Sequence, residues 1–168
     1  MSKKYKVGFY GGKFMPYHKG HHYCTKLAAS ECETLYLLLF INGTDEVRIL
    51  DEMQDPRLTT EARYKAITEA VKDMPNVIVK IVDVGKCRAP DGSENWDAET
   101  PLVLEAVGGQ FNAVYGSEPA YAEYFKRAYP WAEYRCIDPE RNTIPISGTA
   151  VREMMKQNRE DEVKLWKI

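Results

Sequence analysis

The stretch Val7-Gly8-Phe9-Tyr10-Gly11-Gly12-Lys13-Phe14-Met15-Pro16-Tyr17-His18-Lys19-Gly20-His21 begins as a short apolar segment and breaks at two glycines. Val7 to Tyr10 reads as a buried first strand running into a glycine turn. From Gly20 the period becomes helical, with Tyr23, Leu27, Ala28 and Cys24 available to one face. Thr34 to Ile41 is a continuous β-prone apolar run closed by Asn42-Gly43, the pattern of a strand covered on both faces in a parallel sheet. Strand, helix and parallel strand make a right-handed βαβ unit.

The same alternation continues along the chain. Thr59 or Thr60 caps a helix reaching about Asp73, stopped by Pro75-Asn76. Val77 to Val82 is a third strand, and Lys86 to Asn95 is a polar surface loop. Leu102 to Val107 is a helix, Asn112 to Tyr115 a fourth strand, Tyr121 to Ala128 a helix and Tyr134 to Ile137 a fifth strand. A last helix starts near Thr149 and carries Val151, Met154 and Met155. The expected fold is therefore α/β: a Rossmann-like, doubly wound, parallel five-stranded sheet with flanking helices, one domain over residues 1–168. Ligands of such sheets bind in loops at the carboxyl ends of strands.

Composition narrows the partners. Twenty-three Lys plus Arg against 25 Asp plus Glu leave a net charge of −2, with no global attraction to nucleic acid or to an anionic membrane. The longest apolar run, Leu35 to Ile41, is far below the roughly 20 residues that span a bilayer. The basic start Met1-Ser2-Lys3-Lys4-Tyr5-Lys6 lacks a signal-peptide core, so a cytoplasmic location is expected. Cys24, Cys32, Cys87 and Cys136 form no C-x-x-C pair and read as ordinary thiols. All 3 histidines, His18, His21 and His22, fall within one short segment.

That segment suits a polyphosphate. A helix N-terminus presents free N–H groups and the positive end of its dipole, and imidazoles at its mouth can donate to phosphoryl oxygens. Lys13 and Lys19 add charge. Alone, a histidine pair beside a glycine turn is more often a mere connection. No P-loop is present, since Gly85-Lys86 is followed by Cys87 and preceded at the required place by Lys80, and G-x-G-x-x-G is absent. A second constellation, Ile146-Ser147-Gly148-Thr149-Ala150-Val151-Arg152, opens the last helix with hydroxyl residues and an arginine one turn in. By itself it reads as N-capping beside a solvated arginine.

Together these residues carry a resemblance. Gly12-x-Phe14-x-Pro16-x-His18-x-Gly20-His21 fills every fixed place of the G-x-F-x-P-x-H-x-G-H signature of the nucleotidylyltransferase superfamily, and Ile146 to Arg152 matches its second signature, I-S-x-T-x-x-R. Lys13 within Gly12-Lys13-Phe14, with Gly116-Ser117-Glu118-Pro119, Asp138-Pro139-Glu140-Arg141 and Pro145 to Thr149, resembles the nicotinamide mononucleotide adenylyltransferase domain of NadR-type proteins. Those proteins usually add a kinase domain, and some a helix-turn-helix; neither is expected in this chain.

The resemblance implies transfer of AMP from ATP to nicotinamide mononucleotide, giving NAD and pyrophosphate, with Mg²⁺ accompanying the ATP. It implies catalytic roles for His18, His21, Lys13 and Arg152. For ATP binding it implies Gly12, Phe14, His18, His21, Gly116, Ser117, Ile146, Ser147, Thr149 and Arg152. Trp96 resembles the family tryptophan that stacks on the pyridine ring, which suits a cationic nicotinamide. Arg57 and Arg63 are substrate-phosphate candidates from position alone. Trp131 and Trp166 read as structural, and Glu160-Asp161-Glu162 as a solvated helix face. No dedicated metal ligands and no nucleic-acid or membrane partner are expected, and self-association into a homo-oligomer stays open. Same-fold alternatives are a phosphopantetheine adenylyltransferase, a glycerol-phosphate cytidylyltransferase or a non-catalytic nucleotide sensor.

Overall fold

In a computed structural model that describes residues 3–168, five strands form one sheet in the order β3-β2-β1-β4-β5, every neighbouring pair parallel. Met1 and Ser2, the first residues of the basic start, lie outside the described residues. The strands are β1 (Tyr5–Gly12), β2 (Cys32–Ile41), β3 (Val77–Asp83), β4 (Ala113–Gly116) and β5 (Glu133–Cys136). The helices are α1 (Lys19–Glu31), α2 (Thr44–Met53), α3 (Thr60–Ala70), α4 (Trp96–Val107), α5 (Ala122–Ala128), α6 (Gly148–Lys156) and α7 (Glu160–Trp166). Among the described residues no helix is long and apolar enough to cross a membrane.

The leucine run explains the centre of the sheet. Leu35, Leu37, Leu38 and Leu39 of β2 are fully buried, so successive side chains enter both faces, as expected of a strand covered by helices on both sides. One face packs Leu35, Leu37 and Leu39 with Cys24 and Ala28 of α1 and Ile67 of α3. The other packs Leu38 and Phe9 with Val103 and Val107 of α4 and Tyr129 after α5. A third core joins Met15, Ile49 of α2, Leu58, Ile146, Val151 and Met155 of α6 and Val163 of α7. The chain departs in opposite directions from β1, toward β2 and toward β4, and that reversal opens a crevice at the carboxyl ends of the two strands.

The elements read from the sequence are incomplete in places. α2 and α7 are helices that the apolar period left unread. The helix expected from Leu102 begins at Trp96, capped by Asn95, whose side chain accepts from Ala98 N, and Pro101 lies inside it. The acidic run Glu160-Asp161-Glu162 is the first turn of α7, on an exposed helix face as expected, where negative charge complements the dipole and Glu160 and Glu162 also form ion pairs.

Arg63 is not free to meet a substrate phosphate. Its side chain has no exposed surface and lies 3.0 Å from the equally buried Glu46. Its Nη1 donates to Lys13 O at 2.8 Å and its Nε to Leu58 O at 2.9 Å, while Glu46 also accepts from Asn42 N at 3.1 Å. The pair therefore ties the loop after β1, the end of β2 and the start of α3 into one frame.

Removing one member strands a buried charge. Glu46→Ala is expected to lower unfolding free energy by about 3–5 kcal/mol and the melting temperature by on the order of 10 °C, with Glu46→Leu/Arg63→Met recovering part of the loss. Calorimetry reads both, and a Glu46→Ala midpoint within about 2 °C of wild type would refute the frame.

Candidate nucleotide site

The crevice at the reversal holds a cavity of about 330 Å³. Its walls include Gly12, Lys13, Phe14, His18 and His21 from the first constellation, Gly116 and Ser117 after β4, and Trp96 at the start of α4. Local sequence shapes the mouth. Phe14 takes a left-handed backbone with φ 51°, rare for an aromatic residue, and its ring is packed edge-on against Tyr10, Tyr17 and His21. The Met15-Pro16 bond is cis.

His18 is the N-cap of α1. Its Nδ1 accepts from Gly20 N at 3.0 Å and His21 N at 3.4 Å, and His21 Nδ1 accepts in return from His18 N at 3.2 Å. This is a reciprocal capping box made by two imidazoles. The rings stack with centroids 3.7 Å apart. A side chain at residue 20 would stand 2.8 Å from the His18 ring, so glycine there is a packing requirement. A neutral imidazole whose Nδ1 accepts carries its proton on Nε2, so the box leaves each ring with one N–H donor to offer.

The rings stay neutral for electrostatic reasons. Burial, reinforced by the Arg141 and Arg152 guanidiniums, lowers the His18 pKa to about 4. Burial, then His18, Arg141 and Arg152 hold His21 well below the ordinary imidazole value. His22 is different: its Nδ1 meets the Tyr17 hydroxyl at 3.0 Å, and it does not line the cavity.

The second constellation is bound to the first through Arg152, whose Nη1 donates to Met15 O at 2.9 Å and whose Nη2 donates to Thr149 Oγ1 at 3.2 Å. Ser147 caps α6, accepting from Ala150 N at 3.1 Å. Ile146 packs near Gly20 at the histidine turn. Thr149 and Arg152, with Arg48 and Lys156, line a second cavity of about 180 Å³. Lys13 lies 3.7 Å from Asp45 at the start of α2.

Arg57 lines neither cavity. Asp55 and Glu160 each hold it at 2.7 Å, which corrects its expected role with the same physics as Arg63: the guanidinium is already committed to carboxylates. Sequence reasoning missed Arg141, Asp45, Tyr121, Tyr124, Glu94 and Glu99, which line the main cavity. Arg141 was within reach, because Asp138-Pro139-Glu140-Arg141 stood out as a motif. Asp138 accepts from the backbone N–H groups of Asn142, Thr143 and Ile144, and the loop so folded has Arg141 Nη1 donating to Ile146 O at 3.2 Å.

The neutral histidines carry a pH signature. Between pH 4 and 6.5 the unfolded chain binds a proton at residue 18 that the native state refuses, so stability rises with pH across that window and is lost on acidification, on the order of 3 kcal/mol for His18. His18→Asn keeps an N-cap acceptor without the titration. Its stability is expected to fall less steeply than that of wild type between pH 6.5 and 4 in urea unfolding; parallel curves would contradict the assignment.

Comparison with known proteins agrees with this architecture. The Escherichia coli (strain K12) trifunctional NAD biosynthesis/regulator protein NadR is 26% identical over 153 residues, 90% of this chain and 37% of that protein. The chain thus spans little more than a third of that relative. The nicotinamide-nucleotide adenylyltransferase of Methanospirillum hungatei JF-1 is 26% identical over 151 residues, 87% of this chain and 74% of that protein. A crystal structure of NadR protein in complex with NAD and AMP-PNP superposes with TM-score 0.62 at 25% identity, covering 93% of this chain and 44% of that one. Residues 9–154, which run from β1 through both constellations into α6, match the profile described as Cytidylyltransferase-like, and the chain belongs to that family.

Proposed function

We propose that the chain is a nicotinamide-nucleotide adenylyltransferase. The observation that carries this reading is one cavity whose walls hold both the neutral histidine mouth of α1 and an aromatic box around Trp96. A dinucleotide needs those two environments together. The names of the archaeal relative and of the NadR relatives support the same reading.

The 5′-phosphate of nicotinamide mononucleotide attacks the α-phosphorus of ATP. A phosphorus–oxygen bond forms there, the bond to the bridging oxygen of the β-phosphate breaks, and pyrophosphate leaves with that electron pair. Such transfers depend on positioning and on stabilising the charge of the transition state. His18 and His21 donate from Nε2–H to phosphoryl oxygens and, being neutral, need no proton exchange with solvent. Lys13 adds a positive charge at the cavity wall. Arg152, Thr149 and Ser147 bind the leaving pyrophosphate from the start of α6. Gly116 and Ser117 take the adenosine, and Trp96 stacks on the pyridine ring.

Mg²⁺ accompanies ATP. Among the described residues no three His, Cys, Asp or Glu side chains gather to cage a metal. Mg²⁺ makes a smaller demand, usually one or two carboxylates besides phosphates and water, and Asp45 on the cavity wall beside Lys13 fits it. Held there with ATP, the ion would supply charge neutralisation along the polyphosphate. The same reading keeps the chain in the cytosol with small-molecule partners.

The test is product formation from ATP and Mg²⁺ with nicotinamide mononucleotide, nicotinate mononucleotide, phosphopantetheine or glycerol 3-phosphate, the last also with CTP. NAD should dominate; turnover of another acceptor with no dinucleotide would overturn the assignment. His18→Ala and His21→Ala should each lower kcat by roughly 10²-fold or more, the scale of losing one charge-stabilising donor. Trp96→Ala should mainly raise KM for the mononucleotide, and a loss confined to kcat would remove Trp96 from ring binding.

A further inference from the structure

Two carboxyl groups that the reaction does not use stand in the wall of the main cavity. Trp96, Glu99 and Val103 lie at i, i+3 and i+7 on α4 and all three face the cavity. Tyr121 and Tyr124 hold Trp96 edge-on, with ring centroids at 5.0 and 5.1 Å. Glu94, just before α4, reaches the same wall. A Cβ on residue 43 would stand 2.9 Å from Glu94 Oε1, so this carboxyl lies close against the glycine that caps α2. Glu94 thereby sits at the positive end of α2, where an anion is favoured.

Glu99 is held differently. Its Oε1 is buried and has no hydrogen-bond partner, a state that costs free energy unless a donor from a bound molecule meets it. Burial, the hydrogen bond with Glu94 and the charge of Glu94 push its pKa up to about 9, against the weaker opposing pull of Arg88. Near neutral pH Glu99 thus stands in the cavity wall as a neutral acid paired with Glu94, beside the tryptophan assigned to the pyridine ring.

We propose that Glu99 and Glu94 are the specificity-determining pair that selects a carboxamide over a carboxylate on that ring. This rests on the adenylyltransferase reading and goes beyond it, because either pyridine mononucleotide could undergo the same transfer. A carboxamide brings the N–H donor that Oε1 of Glu99 lacks, while the Glu99 proton stays between the two carboxyls. A carboxylate brings no donor, leaves Oε1 unpaired and sets a second negative charge against Glu94. Sites that bury a polar group for a substrate partner reject the analogue lacking it strongly.

The measurement is kcat/KM for nicotinamide and nicotinate mononucleotides in wild type, Glu94→Gln, Glu99→Gln and the double variant. Wild type should prefer the amide. Glutamine retains an acceptor oxygen, adds a donor and removes the charge, so the amide-to-acid ratio should fall by roughly tenfold or more in the double variant. The change should reside in KM for the mononucleotide, with KM for ATP close to that of wild type. Should the Glu99 variant fail to fold, Glu94→Gln and the wild-type ratio still decide. A wild type that makes NAD but accepts both mononucleotides equally, or a preference that survives the glutamines, overturns this inference and leaves the reaction standing. A wild type that turns over neither overturns both.

Discussion

The mouth of α1 depends on a reciprocal hydrogen bond between two imidazoles and the backbone that carries them. His18 and His21 each satisfy N–H groups that an α-helix otherwise leaves unpaired at its start. In doing so both rings spend Nδ1 on the helix and are left with Nε2–H for a ligand. On the proposed reading, capping and ligand recognition are one arrangement. The burial that makes the cap rigid also keeps the rings neutral, with Arg141 and Arg152 supplying positive charge next to them.

The rest of the molecule holds that mouth in place. The sheet delivers β1 to its topological reversal, where a crevice must open. Arg63 and Glu46 fix the loop after β1 from below through Lys13 O, and Arg152 fixes it from α6 through Met15 O. The third core, built from α2, α6 and α7 around Met15, gives α6 its position. At the other cavity walls, the aromatic box and the paired carboxyls are placed by α4 and by the segment that brings Glu94 against Gly43.

What was legible in sequence follows from how local each signal is. The histidine turn and the α6 turn have fixed spacing over about ten residues, so their geometry is written in adjacent positions. The strands were legible because β2 is apolar on both faces and β1 ends in glycines. Arg57 and Arg63 misled because each has a partner outside its own local segment: Glu160 lies 103 residues from Arg57, although Asp55 is near in sequence, and Glu46 lies 17 residues from Arg63. α2 and α7 are short and charged, and their apolar residues gain meaning only from a core that assembles distant segments. The start of α4, from Trp96, carries no apolar period and contains Pro101 near its end, so only the stretch from Leu102 read as helix although Asn95 stands as a cap. The partners of Trp96, Tyr121 and Tyr124, come from beyond β4 and had no local signal.

The proposed function requires both motif histidines to be neutral Nε2–H donors to a polyphosphate. Nitrogen-15 correlation spectra of the imidazoles at neutral pH report tautomer and charge directly. His18 and His21 are expected to be Nε2–H tautomers with unprotonated Nδ1, and their Nε2 resonances to move on addition of ATP and Mg²⁺ while those of His22 move little. An Nδ1–H tautomer or an imidazolium at either position, or Nε2 signals indifferent to ATP, would contradict the proposal.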